Sequence, residues 1–172
     1  MKLEFRDLKA EEIDVRIAQV TEKGVSLLLY KDARVDQNIL DETVGNMDWQ
    51  KHYSRDNANC IVSIWDTEKK QWIEKEDTGT ESFSEKEKGL ASDSFKRACF
   101  NWGIGRELYT APFIWIKAED CKIVVNQKTG KTTCYDKFYV NKIAIDNKKI
   151  IGLSIWNQTS KKRVYVFDIS KE

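Results

Sequence analysis

Alternating hydrophobic and polar residues predict two strands near the start of the chain. The alternation runs from Val15 to Gln19, a turn falls at Lys23-Gly24, and a mostly apolar run continues to Leu29. The residues before Val15 also allow a helical start. The pattern therefore predicts a short strand pair.

The pattern becomes helical over residues 32–44. Asp32 is suited to cap the N-terminus, and Gly45 is suited to a left-handed stop directly after the last helical residue. The side chains predicted to share the packed face are Val35, Ile39, Leu40, Thr43 and Val44.

A β-hairpin is predicted next. "NCIVSIWD" (residues 59–66) and "QWIEKED" (71–77) are rich in β-branched and aromatic residues. The polar turn "TEKK" between them places Lys69 and Lys70 at the tip of the hairpin.

The longest helix is predicted over residues 83–102. Ser82 and Glu85 have the spacing of a capping box, and the helix ends at Gly103. The strand-like segments that follow predict an antiparallel meander; they are "KIVVNQ", "TTCY", "KFYVNKIAID", "KIIGLSIW" and "RVYVFDI". The whole order predicts an α+β fold, with antiparallel sheet and hairpins, the long helix packed across them, and one domain over residues 1–172.

The two faces of the long helix differ in chemistry. At about 100° per residue, one stripe is predicted to pack on the sheet: Ala91, Phe95, Ala98, Cys99 and Trp102. The other face carries Asp93, the adjacent cations Lys96 and Arg97, and Phe100. A solvated face with Asp93 paired to Arg97 is one interpretation. The aromatic ring instead favours a nucleic-acid groove or a subunit interface.

Two further features suit an anionic partner. Gly103-Ile104-Gly105-Arg106 forms a tight exit from the helix, whose amides could hold a phosphate beside Arg106. Arg34 lies in the first turn of the earlier helix, where the helix dipole favours an anion over a cation. A salt bridge to Asp36 or Asp41 is the alternative explanation for Arg34.

Composition fits a folded chain and leaves the partner open. Hydrophobic residues make up 41% and aromatic residues 11% of the 172 residues, which argues against disorder. The 29 Lys and Arg residues nearly cancel the 28 Asp and Glu residues, for a formal net charge of +1. A polyanion would therefore be bound by locally clustered cations rather than by bulk charge.

The cysteines predict neither a metal site nor a disulfide framework. Cys60, Cys99, Cys121 and Cys134 show no C-x-x-C spacing, and the single histidine, His52, lies eight residues before Cys60. The mostly charged "MKLEFRDLKAEE" is unlike a signal segment, and no long apolar run occurs. We therefore expect no metal, no cofactor, no membrane association, and a cytoplasmic protein with reduced thiols.

Two separated motifs resemble a known family. "YKDARVDQNILDETVGNMDW", followed by the hairpin and then "EKEKGLASDSFKRACFNWGIGRELY", resembles the single-strand annealing proteins of the Rad fifty-two superfamily, most closely their short phage-encoded members. The likeness covers residues from about 10 to 115. Its signature is an Asp-x-x-Lys-Arg helix that ends in Gly, together with the earlier Arg helix.

The resemblance implies single-stranded DNA binding and annealing of complementary strands in recombination or repair, without covalent catalysis. It implies subunits assembled into a ring or arc, with the strand in a basic groove on the outside, a single-strand binding protein as a candidate partner, and the bacterial cytoplasm as the location. Lys96, Arg97 and Arg34 match the family's basic residues. Phe100 replaces a basic residue of the eukaryotic branch, which leaves stacking or packing there, and Lys69 and Lys70 are similar in position to a basic residue of a second DNA site.

Two other function classes stay open. A structural or inhibitory ring-forming protein that binds another recombination factor would use the basic helix and Phe100 for protein contact. A metal-dependent nuclease is suggested by acidic residues near lysines, although Glu68 falls in a predicted turn rather than on a rigid strand; these residues are Asp56, Glu68, Glu74 and Glu85. Trp49 and Tyr53, in the polar segment after the first helix, are candidates for base stacking or for core packing.

Overall fold

The structure, a computed structural model, describes residues 3–80 and 86–171. The chain divides into two compact units: Met1–Asp7 with Asp32–Arg106 (unit 1), and Leu8–Lys31 with Glu107–Glu172 (unit 2). One DNA-annealing domain over residues 1–172 stays a prediction. Among the described residues, no helix combines the length and apolar character needed to cross a lipid bilayer.

The elements follow one another in the predicted order of strands, helix, strands, helix and strands. They are β1 (Asp14–Thr21), β2 (Gly24–Tyr30), α1 (Ala33–Val44), β3 (Trp49–Ser54), β4 (Asn59–Asp66), β5 (Gln71–Thr78), α2 (Lys86–Trp102), β6 (Ile114–Lys117), β7 (Ile123–Val125), β8 (Thr132–Cys134), β9 (Phe138–Asp146), β10 (Lys149–Asn157) and β11 (Lys162–Asp168). The prediction of an α+β chain with antiparallel sheets is confirmed.

Unit 1 contains the antiparallel sheet β3-β4-β5, with α2 against β4 and β5. Alternation along β4 turns Cys60, Val62 and Ile64 towards the core, where they are buried. Gly79, just after β5, lies so close to α2 that a Cβ atom there would come within 2.6 Å of the Ser94 amide nitrogen. The chain therefore needs glycine at this point to bring the sheet and the helix together.

Unit 2 contains a six-stranded sheet in the order β11-β10-β9-β1-β2-β6, while β7 and β8 form a separate pair. Its inward side chains are mainly aliphatic; Val25, Ile116, Ile150 and Ile155 have no exposed surface. Glu107 is also fully buried, and its Oε1 accepts a hydrogen bond from the Leu8 amide at 2.7 Å. The predicted continuous meander is thus wrong for β7 and β8, which belong to their own sheet.

The local predictions for the helices and the hairpin hold where the structure describes them. The Asp32 side chain accepts the Arg34 amide hydrogen, and Gly45 ends α1 with φ of +86°. β4 and β5 match the predicted hairpin closely. The helix predicted over 83–102 is described from Lys86 to Trp102; residues 83–85 and the Ser82 to Glu85 capping box lie outside the described residues.

No strand was predicted in the polar segment after α1 that contains Trp49 and Tyr53. Residues 49–54 form the strand β3, which pairs with β4 along its whole length, from Trp49 opposite Ile64 to Ser54 opposite Asn59. Trp49 and Tyr53 are therefore held in register on a sheet.

Candidate nucleic-acid interface

Three of the five residues in the stripe predicted to pack α2 on the sheet are buried, while Ala91 and Trp102 are half-buried. Phe95, Ala98 and Cys99 are almost completely buried, and the Trp102 indole donates a hydrogen bond to the Val62 carbonyl at 3.0 Å. Lys96 and Arg97 lie outside this stripe and are half-buried.

Phe95 is the centre of the contacts that fix α2. The Trp49 ring stacks on it with centroids 6.2 Å apart, and Lys51 Nζ lies 4.5 Å from its centroid. Trp49 Nε1 in turn donates to Asp41 Oδ1 at 2.6 Å, which ties β3 to α1. Core packing is thus the role that the structure gives Trp49, and base stacking by Trp49 stays a prediction.

Arg34 projects from the start of α1 with 83% of its side chain exposed. Its ion pair is with Asp32, at 2.8 Å between Nε and Oδ1 and 3.3 Å between Nη2 and Oδ2. The expected partners were wrong: Asp36 is buried, and Asp41 accepts the hydrogen bond from Trp49. Asp32 is favoured because its capping hydrogen bond already holds it beside Arg34.

Lys96 lies near the same carboxylate. Hydrogen bonds from Arg34 lower the pKa of Asp32 below 3.8, and the charge of Lys96 lowers it further. Asp32 is thus paired with Arg34 of α1 and is within electrostatic reach of Lys96 of α2.

Arg97 is held by a carboxylate of β5. Its Nε lies 3.5 Å from Asp77 Oδ1 on β5, and 42% of its side chain is exposed. Asp77 also accepts a hydrogen bond from Asn101 Nδ2 at 3.2 Å. Asp93, the partner expected along the helix, instead accepts the Thr80 amide at 2.8 Å. The interpretation of a solvated Asp93–Arg97 pair is therefore wrong.

Arg106 completes the end of α2. Gly103 and Ile104 donate to the carbonyls of Phe100 and Cys99, the two bonds of a Schellman motif, with φ of +102° at Gly103. Arg106 Nε donates to the Phe100 carbonyl at 2.8 Å, and its guanidinium lies 5.4 Å from the Phe100 ring centroid. These contacts give Arg106 and Phe100 a helix-capping and packing role, and their contacts to DNA stay predictions.

Lys69 and Lys70 lie at the tip of the β4–β5 hairpin as predicted, and both are exposed. Asp66 Oδ1 accepts the amides of Glu68 and Lys69 at 3.0 Å each, so the turn is fixed by a side chain. Glu68, the acidic residue of the nuclease hypothesis, is part of this turn. Among the described residues, no three His, Cys, Asp or Glu side chains are grouped to hold a metal ion.

Sequence reasoning missed two lysines that face α2. Lys51 on β3 and Lys75 on β5 lie opposite Val62 of β4. Lys75 Nζ donates to the Asn101 carbonyl at 2.8 Å and lies 4.5 Å from the Trp102 ring centroid. The alternation along β5 could have indicated that Lys75 faces α2, because Ile73, Lys75 and Asp77 share one face of the strand.

Tyr53 and Cys60 are paired across β3 and β4 beneath the helix. Burial raises the pKa of Tyr53 to about 12 and that of Cys60 to about 11. Both groups stay protonated at neutral pH. Tyr53 therefore carries no charge that would repel a phosphate.

Raising the pH is expected to destabilise unit 1 through this pair. Above pH 9.0, the ordinary pKa of cysteine, the unfolded chain releases the Cys60 proton, while the folded chain keeps it up to about pH 11. The same holds for Tyr53 between 10.0 and about 12, so the free energy of unfolding falls over this range. Urea unfolding at about pH 8 and about pH 10.5 measures the loss. Tyr53→Phe should lose less stability than wild type; an equal loss would contradict the assignment to Tyr53.

Comparison of the chain with protein-family models, with curated proteins and with solved structures finds no match. The resemblance to single-strand annealing proteins therefore stays a prediction.

Proposed function

We propose that the protein binds single-stranded DNA through a basic surface made of Arg34, Lys96 and Arg97, and anneals complementary strands without covalent catalysis. The observation that carries this proposal is the exposed Arg34 guanidinium, held by the ion pair with Asp32, whose carboxylate is also within electrostatic reach of Lys96 on α2. Arg97 follows Lys96 on α2 and extends the basic surface towards β5.

The ion pairs of the basic surface are of a kind that a phosphate can replace. Exposed ion pairs contribute only about 0–1 kcal/mol, because water screens them and the side chains lose entropy. Arg34 and Arg97 are thus held in place by Asp32 and Asp77 but are not locked there. A DNA phosphate can accept from the same guanidinium groups, and counterion release then favours binding.

Phosphate contacts of this kind do not read sequence, and they leave base edges free to test a second strand. Few contacts per subunit give weak binding, so we propose a ring or arc of subunits, which repeats the basic surface along one strand and raises affinity through multivalency. Lys69, Lys70 and Arg106 are proposed as further phosphate contacts. A single-strand binding protein is the proposed loading partner.

An annealing assay tests the proposal. Two complementary, fluorescently labelled oligonucleotides are mixed with wild type or with Lys96→Ala/Arg97→Ala, without magnesium and over a salt series. We expect wild type to accelerate duplex formation and the double variant to lose most of this acceleration. Lys128→Ala/Lys131→Ala is the matched control, because it removes two exposed cations from the β7–β8 turn; it should anneal like wild type.

Other outcomes point to the other function classes. If wild type neither binds nor anneals the oligonucleotides, the proposed function is contradicted, and protein contact is the next function to test. If added magnesium leads to strand cleavage, the nuclease hypothesis is supported.

A further inference from the structure

A second basic and aromatic surface lies on unit 2. Tyr139 of β9 is exposed between the buried Phe138 and Val140, so it points outward. Tyr139 pairs with Trp156 of β10, which pairs with Arg163 of β11. Directly paired residues share a face with their Cβ atoms about 4.5–5.5 Å apart, so these three side chains form an outward row across three strands.

Three cations gather at the end of this row. Lys161 and Arg163 lie in and just after the β10–β11 turn, and both are exposed. Lys162, between them, pairs with the buried Asn157 and so points to the opposite face. Lys137 joins the row because its amide donates to Thr159 Oγ1 at 3.2 Å and its carbonyl accepts the Gln158 amide at 2.8 Å. We name Lys137, Lys161 and Arg163 the basic rim.

Four carboxylates lie near the row and the rim, and three of them, Glu119, Asp120 and Asp136, line one cavity with Lys162. Asp136 is buried and accepts hydrogen bonds from Asn157 Nδ2 at 2.8 Å and the Lys122 amide at 2.9 Å. Glu119 pairs with Lys117 at 3.6 Å. Asp14, which pairs with Tyr139 on its other side, is the exposed carboxylate beside the row.

The two units also differ in charge. Unit 2 has 16 Lys and Arg residues against 11 Asp and Glu residues, a formal excess of +5, whereas unit 1 has 13 against 17 and an excess of −4. The Lys-Arg helix thus belongs to the negative unit. A polyanion is attracted more strongly to unit 2.

We infer that unit 2 carries its own site for single-stranded DNA, in which the basic rim holds phosphates and Tyr139 and Trp156 stack on bases. Aromatic side chains beside cations on a sheet are the chemistry that recognises unpaired bases, because every base has a π-face. A second copy of the same surface fits less well, since like charges of two rims would meet in a symmetric contact. The inference rests on the proposed function for its ligand and adds a site at which a second strand can be held.

The test compares base-dependent with phosphate-dependent binding. Anisotropy titrations use a deoxythymidine oligomer of about 20 nucleotides and an abasic oligomer of the same length. Tyr139→Ala should weaken binding of the deoxythymidine oligomer about tenfold and leave the abasic oligomer unchanged, because one stacking contact is lost. Tyr139→Phe keeps the ring and should bind like wild type.

Tyr135→Ala is the matched control, because Tyr135 is 78% exposed, compared with 41% for Tyr139, and lies between β8 and β9. The inference is overturned if Tyr139→Ala changes the affinity for neither oligomer or lowers both affinities equally. It is also overturned if the variant changes only the mass measured by sedimentation, because that result would indicate a contact between copies of the chain. If Lys96→Ala/Arg97→Ala binds like wild type while Tyr139→Ala loses the base-dependent part, the proposed basic surface fails and this inference stands. A wild-type chain that binds neither oligomer overturns both.

Discussion

Replacing Arg34, Lys96 and Arg97 together by alanine is expected to weaken binding of single-stranded DNA by at least about 100-fold at moderate salt, because up to three charge-assisted phosphate contacts are lost. The slope of the logarithm of the association constant against the logarithm of salt concentration should become shallower by roughly 2, since each contact to a single strand contributes about 0.7. Anisotropy titrations of a deoxythymidine oligomer at four or more salt concentrations give both quantities.

The folded state should tolerate these changes. Arg34 is mostly exposed, Arg97 is partly exposed, and the ion pairs lost with them are of the weak surface kind. Urea unfolding of the triple variant should therefore stay within about 1 kcal/mol of wild type. This separates loss of the basic surface from loss of the fold.

Two variants control for charge. Lys128→Ala/Lys131→Ala/Lys142→Ala removes three exposed cations from unit 2, outside the basic rim, and should keep most of the affinity. Asp77→Asn acts in the opposite direction: it removes the anion that competes for Arg97, and affinity should rise a few-fold. Wild-type affinity and slope in the triple variant would contradict the proposed basic surface and would favour contact with another recombination factor as the role of Arg34, Lys96 and Arg97.

Short-range signals in the sequence were sufficient for elements whose ends are fixed locally. Asp32 marks the start of α1 through a side-chain hydrogen bond, and Gly45 marks its end through a positive φ angle. Both features depend on residue type. The β4–β5 hairpin has a polar turn between two strands of high β-propensity. Gly103 likewise marked the end of α2, because the Schellman motif requires positive φ there.

The strand β3 could not be predicted in this way. "WQKHYS" contains few apolar residues, and its strand conformation depends on pairing with β4. Lys51 occupies a position where an apolar residue would be expected, and its ammonium group lies over the Phe95 ring, 4.5 Å from the ring centroid. A prediction based on residue hydrophobicity counts Lys51 as a polar residue and therefore misses the strand.

The ion-pair partners also could not be predicted from the sequence. Asp36 or Asp41 was expected for Arg34 as a neighbouring carboxylate, and helical spacing suggested Asp93 for Arg97, but the partners are Asp32 and Asp77. Asp77 is on β5, so its contact with Arg97 depends on how α2 packs against that strand. Sheet membership has the same origin: β9 pairs with β1 through Asp14 and Tyr139, which are far apart in the chain.

Phe95→Ala is expected to cost about 3–5 kcal/mol of folding free energy, because it removes a fully buried ring and leaves a cavity. The cavity would lie under Trp49 and Lys51, whose contacts with this ring join β3 to α2. Urea unfolding followed by tryptophan fluorescence measures the loss. Phe113→Ala is the matched control, because Phe113 is 77% exposed, and it should cost less than about 1 kcal/mol.

Phe95→Ala is expected to change in the opposite way to the triple variant: its stability falls, but the salt dependence of its DNA binding stays the same. At a temperature where the variant is mostly folded, its salt slope should equal that of wild type, since Arg34, Lys96 and Arg97 are intact and the slope counts phosphates. A shallower slope with wild-type stability, or wild-type stability alone, would contradict the central position of Phe95. The free energy of unfolding thus depends on the buried face of α2, whereas the salt dependence of DNA binding depends on the face that carries Lys96 and Arg97. The two variants therefore test the two faces of one helix separately.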